Sequence, residues 1–317
     1  MDNEADIEAI SFLALCDLGG VGYETLKKVA KDRIRFQSFF EPRTGTTNPH
    51  NAVDISGYAR LTDYLNSSEA KRKAIDSGKQ KFEYLRKRNI RVVFSHDTTY
   101  PAKLKDLQDY PRWLFVEGNM NAINLPSITA VGSRKVSAEG KWLATYFGFC
   151  LSQLNVATVS GLAEGVDQIV HRASLAAHLP TIAVLGTGIL LNYPKGSEEL
   201  RQRIVECGGA IVTEYLPNDT FSAKNFVRRN RIQAALGQIV FPIEWGIKSG
   251  TAHTVKFASD LRRPIVFVRT PTQDALDWIP KNLLNGSGRF TLPLDQEKFL
   301  SFLREQMNDE PAQKSFI

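Results

Sequence analysis

Residues 157–171 read Ala157-Thr158-Val159-Ser160-Gly161-Leu162-Ala163-Glu164-Gly165-Val166-Asp167-Gln168-Ile169-Val170-His171. A short β-branched run, a turn bracketed by glycines and the opening of a helical pattern make one strand–turn–helix unit. The unit recurs on both sides. Strand candidates fall at 90–94, 127–131, 181–185, 210–213, 238–243 and 264–268, besides 157–160. Helical stretches fall at about 137–154, 165–178, 196–207, 228–236 and 250–261. The Val/Ile runs lack polar alternation, as expected of strands buried on both faces. Strands alternating with helices at this spacing predict an α/β fold with a mostly parallel, doubly wound sheet over 89–270.

Flanking segments read differently. Residues 1–88 predict a small helical domain. Ile7, Ile10, Leu13 and Leu15 form an apolar face, Gly19-Gly20-Val21-Gly22 a tight turn, and Leu26, Val29 and Ala30 a second face. This outline fits a SAM-like helix-hairpin-helix, which can offer backbone amides to a phosphate, and equally a plain αα-hairpin. Residues 41–57 read as a loop and 58–88 as helix, dense in Lys and Arg from Lys71 to Arg88, as on a solvated face. Residues 271–317 predict a short extension with one amphipathic segment at 295–306 and a turn at Asn285-Gly286-Ser287-Gly288.

The 317 residues are 43% apolar and 23% charged, enough for one large core and a smaller one. A net charge of +6 suits an anionic partner. Cys16, Cys150 and Cys207 are far apart and odd in number, which disfavours disulfides and zinc and predicts small buried hydrophobes. Met1-Asp2-Asn3-Glu4 does not resemble a secretory leader. The longest apolar stretch, 181–191, is too short for a bilayer and contains Gly186 and Gly188. A soluble, cytoplasmic protein without membrane contact is the expectation.

In parallel sheets ligands bind beyond the carboxyl ends of the strands. There stand Gly132-Ser133-Arg134, then Ser160-Gly161-Leu162-Ala163, then Gly186-Thr187-Gly188 with Tyr193-Pro194, then Glu214-Tyr215, then Glu244 with Ser249-Gly250-Thr251. Glycines admit close approach, hydroxyls and amides donate to phosphate, and Arg134 adds a forked charge. Gly186-x-Gly188 lacks the third glycine of a dinucleotide fingerprint and no Walker lysine follows, so no cofactor is expected. Lys224-Asn225-Phe226-Val227-Arg228-Arg229-Asn230-Arg231 combines four cations with one aromatic: a phosphate grip with a stacking ring, or a solvated helix start with Phe226 in the core. Asp167 and His171, four apart on one helix, are a candidate catalytic pair or a buried structural one. No metal constellation or nucleophile elbow is present in the sequence.

These motifs, taken in order, resemble the DprA/Smf (DNA processing protein A) family. The resemblance rests on Tyr100-Pro101 with Leu104, Leu107, Pro111, Leu114, Phe115 and Gly118-Asn119. It continues through Gly132-Ser133-Arg134, the Ser160–Asp167 block with His171, 182–186, Tyr193-Pro194 and Glu214-Tyr215. It ends with Phe226 and Arg229-Asn230-Arg231, Glu244, and Ser249-Gly250-Thr251 with Thr254 and Ala258. It implies an extended Rossmann-like fold, a homodimer, and a basic pocket for single-stranded DNA that is passed to RecA during natural transformation. Carried over, Arg134, Arg229 and Arg231 would grip phosphates. Ser133, Ser160, Gly161, Gly250 and Thr251 would line the pocket, and Phe226 would stack on a base. Val227 stands where the family often has proline, and 271–317 lacks the pattern of the family's winged helix.

Three functional classes are compared: a non-enzymatic binder of single-stranded DNA acting as a recombination mediator; a divergent nucleotide-binding or nucleotide-processing protein, of mobile-element or phage-defence type; and an interaction scaffold. The related phosphoribohydrolases carry a catalytic Glu where Thr254 stands, and threonine cannot replace that carboxylate. The first reading is the expectation.

Overall fold

The computed structural model describes residues 4–41, 59–284 and 286–308. The loop expected at 41–57 lies outside them beyond Glu41, as does Asn285 of the expected turn. The chain divides into two compact units, Met1–Ser95 and His96–Ile317.

In the first unit, α1 (Glu4–Leu15) buries Phe12, Leu13 and Leu15, and α2 (Tyr23–Lys31) follows a turn in which Gly20 takes φ +78°. The buried Glu8 carboxylate accepts the Phe36 and Gln37 amides at 2.9 and 3.0 Å, tying a 3-10 turn to α1. The single helix expected over 58–88 is two, α3 (Ala59–Tyr64) and α4 (Ser68–Arg86). The break is Ser67, whose hydroxyl accepts the Ala70 amide and caps α4. Strand β1 (Ile90–Phe94) ends the unit, with Phe94 against Phe12 and Phe36.

The second unit alternates strand and helix. Its strands are β2 (Trp113–Gly118), β3 (Ser127–Gly132), β4 (Ala157–Ser160), β5 (Thr181–Val184), β6 (Ala210–Thr213) and β7 (Ile239–Ile243). A short α5 (Met120–Asn124) precedes β3. Between and after the other strands run α6 (Ala138–Leu151), α7 (Val166–Ala176), α8 (Glu198–Glu206), α9 (Ala223–Leu236) and α10 (Gly250–Asp260). The six strands hydrogen-bond in the order β2-β6-β5-β4-β3-β7, all parallel except β2 on β6. The antiparallel β2 is absent from the sequence expectation.

Strand β7 shows why the runs lack polar alternation. Ile239, Phe241 and Ile243 enter one core cluster with α6, while Val240 enters another with α9 and α10. Phe147 stacks on Phe241 at 4.3 Å, and fully buried rings of this kind contribute about 1.5–3 kcal/mol each. The expected strand at 264–268 is β8 (Val266–Arg269), paired in parallel with β9 (Gly288–Thr291). Helix α11 (Gln296–Asn308) buries Phe299, Leu300 and Leu303 in the cluster of Ile128 and Phe241. Residues after 270 therefore complete this core.

No helix among the described residues is long and apolar enough to cross a membrane. Cys150 is buried, but Cys207 is exposed at the end of α8, against the expectation of three buried thiols.

Candidate nucleic-acid interface

From β3 the chain steps through β4, β5 and β6 to one side, whereas β7 lies on the other side of β3. The connections diverge at the carboxyl ends of β3 and β7, where doubly wound sheets leave a crevice. A cleft of about 600 Å³ lies there. Its walls are Gly132 at the end of β3 with Ser133 and Arg134 beyond it, Ala163 before α7 and Asp167 in its first turn, one face of α9, and residues from Glu244 to Thr251 after β7.

Helix α9 sorts the basic segment. Ser222 caps it, accepting the Asn225 amide at 3.1 Å, so the helix begins five residues before the expected 228 and contains the whole run. Phe226, Arg229, Asn230 and Gln233 are spaced i, i+3, i+4, i+7 and face the cleft. Lys224, Arg228 and Arg231 fall on another face. Arg231 is 5% exposed and forks onto the buried Glu214 carboxylate at 2.7 and 2.8 Å, with Nε donating to the Asp109 carbonyl. Arg228 reaches Asp109 and Glu214.

Arg229 is 4% exposed. Its Nη1 donates to the Gly161 carbonyl at 2.9 Å and to the Val184 carbonyl. Burial lowers its pKa to about 10, opposed by the charge of Asp167, so it stays a cation at neutral pH. Burial raises the Asp167 pKa, while Arg229 and the Gly161 amide, 3.1 Å away, hold the carboxylate down. His171 is engaged elsewhere: Nδ1 lies 2.7 Å from Thr181 Oγ1, and burial pushes its pKa down to about 3. Asp167 and His171 thus bond to different partners.

The rim is built from β7. Glu244, at φ +45°, accepts the Ser133 amide on its carbonyl at 3.2 Å. Its carboxylate accepts the Ser137 amide at 3.0 Å and hydroxyl at 2.7 Å. Ser137 in turn caps α6. One glutamate fixes the loop that carries Arg134, and its negative charge suits the start of α6. Arg134 is exposed, its guanidinium 5.5 Å from the Phe226 ring centre. Across the cleft, Asn230 Nδ2 donates to the Gly250 carbonyl at 3.1 Å, fixing the start of α10.

Of the expected site residues, the cleft brings together Gly132, Ser133, Arg134, Ala163, Phe226, Arg229, Asn230, Ser249, Gly250 and Thr251. Ser160, Gly161 and Leu162 lie outside the cleft lining. Ser160 is fully buried and donates to the Ala130 carbonyl at 2.6 Å, Leu162 is buried at φ +62°, and the front of Gly161 is filled by Arg229. Arg231, paired with Glu214, lies off the lining too, as do Lys224 and Arg228. Gln233, Glu244 and Trp245 line the cleft without having been named among the site residues. The i+7 spacing from Phe226 was a usable signal for Gln233. Among the described residues, no group of three or more His, Cys, Asp or Glu is placed to hold a metal.

A family model described as DNA recombination-mediator protein A matches residues 91–289. Protein Smf of Escherichia coli is 34% identical over 200 residues, covering 63% of this chain and 53% of that protein. The chain thus spans about half the length of that relative. The X-ray structure of DNA processing protein A from Streptococcus pneumoniae superposes with a TM-score of 0.63 at 24% identity, covering 92% of this chain and 97% of that one. A Helicobacter pylori DNA processing protein A structure, described as showing a single-stranded DNA binding mode, gives 0.58 at 21% identity over 68% and 96%. At these identities the two structures show a shared fold.

Proposed function

This chain belongs to the DNA recombination-mediator protein A family, and on that premise we propose that its cleft grips single-stranded DNA. The observation that carries the reading is Arg134, an exposed cation held at the rim of a switch-point cleft with the Phe226 ring below it. Arginine and an aromatic face are the two elements that single strands need: charge for the backbone and a π-surface for an unpaired base. Arg229 serves this site from behind, as a buried positive charge under Phe226, its guanidinium 6.0 Å from the ring centre. Gly250 and Thr251, at the amino end of α10, offer backbone amides to a phosphate.

In this reading the protein is a recombination mediator that shelters single strands and hands them to RecA, and it acts as a homodimer. Fluorescence anisotropy of a labelled oligo-dT and a matching duplex, across salt, tests the cleft with wild type and Arg134→Ala. The single strand binds preferentially, and log K falls with log salt at a slope of about −0.7 per phosphate neutralised. Arg134→Ala weakens binding and makes that slope shallower by about one contact. Equal affinity for duplex and single strand, or no response to the substitution, overturns the reading.

A further inference from the structure

Tyr193 and Phe221 lie outside the cleft lining but continue one of its walls. Tyr193 sits between β5 and α8, and Phe221 just before α9. Their rings stack at 4.6 Å between centres and 26° between planes. Tyr193 in turn meets Phe226 at 5.3 Å and 33°. Three rings in series therefore lead from the cleft outward.

The inner end of the series is fixed. Phe226 is packed over Gly186, where an added Cβ would lie 2.5 Å from the ring. The outer end is open. Phe221 is 58% exposed, an unusual setting for a phenylalanine that already has a stacking partner. Lys224, in the first turn of α9, and Lys195, two residues after Tyr193, are both exposed. An aromatic face bordered by cations matches the pattern that tracks a single strand.

We propose that Tyr193 and Phe221 form a second base-stacking subsite, which receives unpaired nucleobases of the strand as it leaves the cleft. The proposal rests on the cleft's binding single-stranded DNA. Every base has a π-face, so the subsite tolerates any sequence, and a duplex, whose bases are already stacked, cannot use it. Tyr193 supports Phe221 from below, and the free face of Phe221 takes the base.

The test is anisotropy titration of two oligo-dT probes, about 4 and about 16 nucleotides long, spanning the range of site sizes for single-strand binders. Wild type, Phe221→Ala and Phe221→Trp are compared. Phe221→Ala weakens the long probe roughly tenfold, within the range that loss of one base–aromatic stack produces. It leaves the short probe and the salt slope unchanged, because the ring carries no charge. Phe221→Trp restores the long-probe affinity. Unchanged long-probe binding in Phe221→Ala, or an equal loss on both probes, overturns the subsite while wild-type binding leaves the cleft reading standing. If wild type binds neither probe, the cleft reading fails and the subsite with it.

Discussion

The Arg229 guanidinium occupies the space in front of Gly161. A Cβ at Gly161 would stand 2.5 Å from Nη1 and 2.7 Å from Cζ, and the same Nη1 donates to the Gly161 carbonyl at 2.9 Å. The glycine after β4 is a recess for a buried cation, and a phosphate has no room there. Gly161→Ala is therefore expected to destabilise the fold by about 1–3 kcal/mol, the usual range for overpacking. Arg229 cannot swing away, since the Val184 carbonyl also holds it. Urea unfolding measures the loss. A midpoint unchanged from wild type would show that the guanidinium is free to move.

Arg231 and Glu214 form a two-pronged pair with both side chains nearly fully buried. Removing one charge strands the other, which typically costs about 3–5 kcal/mol. Glu214→Gln should accordingly lower the denaturation midpoint strongly. Arg134→Ala, at an exposed rim position, should leave the midpoint within about 0.5 kcal/mol of wild type. Comparing the two variants by urea unfolding separates the arginine that holds the fold from the one proposed to bind the strand. The prediction fails if Glu214→Gln unfolds at the wild-type midpoint.

The two arginines look alike in the sequence, and what separates them is tertiary. The strands β3 to β7 are legible because strands covered on both faces are filled mostly by apolar and β-branched side chains, with buried Thr and Ser among them, and so show no regular polar alternation. Strand β2 was read only as part of a motif, although its run Trp113-Leu114-Phe115-Val116 is buried at every position. The glycine turns were legible as turns at strand ends, but what fills them was not. Gly161 and Gly186 receive side chains from α9, tens of residues away, and no local pattern encodes that. The helical spacing of 226, 229, 230 and 233 was available, and it would have set Arg231 apart once the start of α9 was placed at Ser222.

His171 should make stability fall in acid. Its folded pKa is near 3 against an ordinary 6.5, because burial and the charge of Arg229 disfavour the imidazolium. Nε2 has no partner to receive a second N–H. Above pH 6.5 neither state holds the proton. Between 6.5 and 3 the unfolded chain binds it and the folded chain does not, so stability drops by about 1.4 kcal/mol per pH unit over this window. Asp167, with its folded pKa raised, acts in the opposite sense and offsets part of the drop. The contrast between wild type and His171→Gln isolates the histidine. Urea midpoints should converge on, or cross, those of the variant as pH falls from about 6.5 to about 4.5. Parallel pH profiles would show that His171 is not held neutral.

Gln233 offers the sharpest separation of binding from stability. It is 1% exposed, it lines the cleft beside Asn230, and its Nε2 is buried without a hydrogen-bond partner. Its backbone carbonyl already accepts the Thr129 hydroxyl at 2.6 Å, so the helix is anchored there without the side chain. Leaving a buried amide donor unmade costs about 1–3 kcal/mol, and such a group on a cleft floor suits a ligand that completes it. Gln233→Leu keeps the volume and removes the unmet donor. The unfolding midpoint should hold or rise by about 1 kcal/mol, while oligo-dT binding weakens several-fold. A carboxamide that merely filled the core would give the reverse pattern, with lower stability and intact binding. Since binding is expected to weaken while stability holds or rises, general damage to the fold cannot imitate the result.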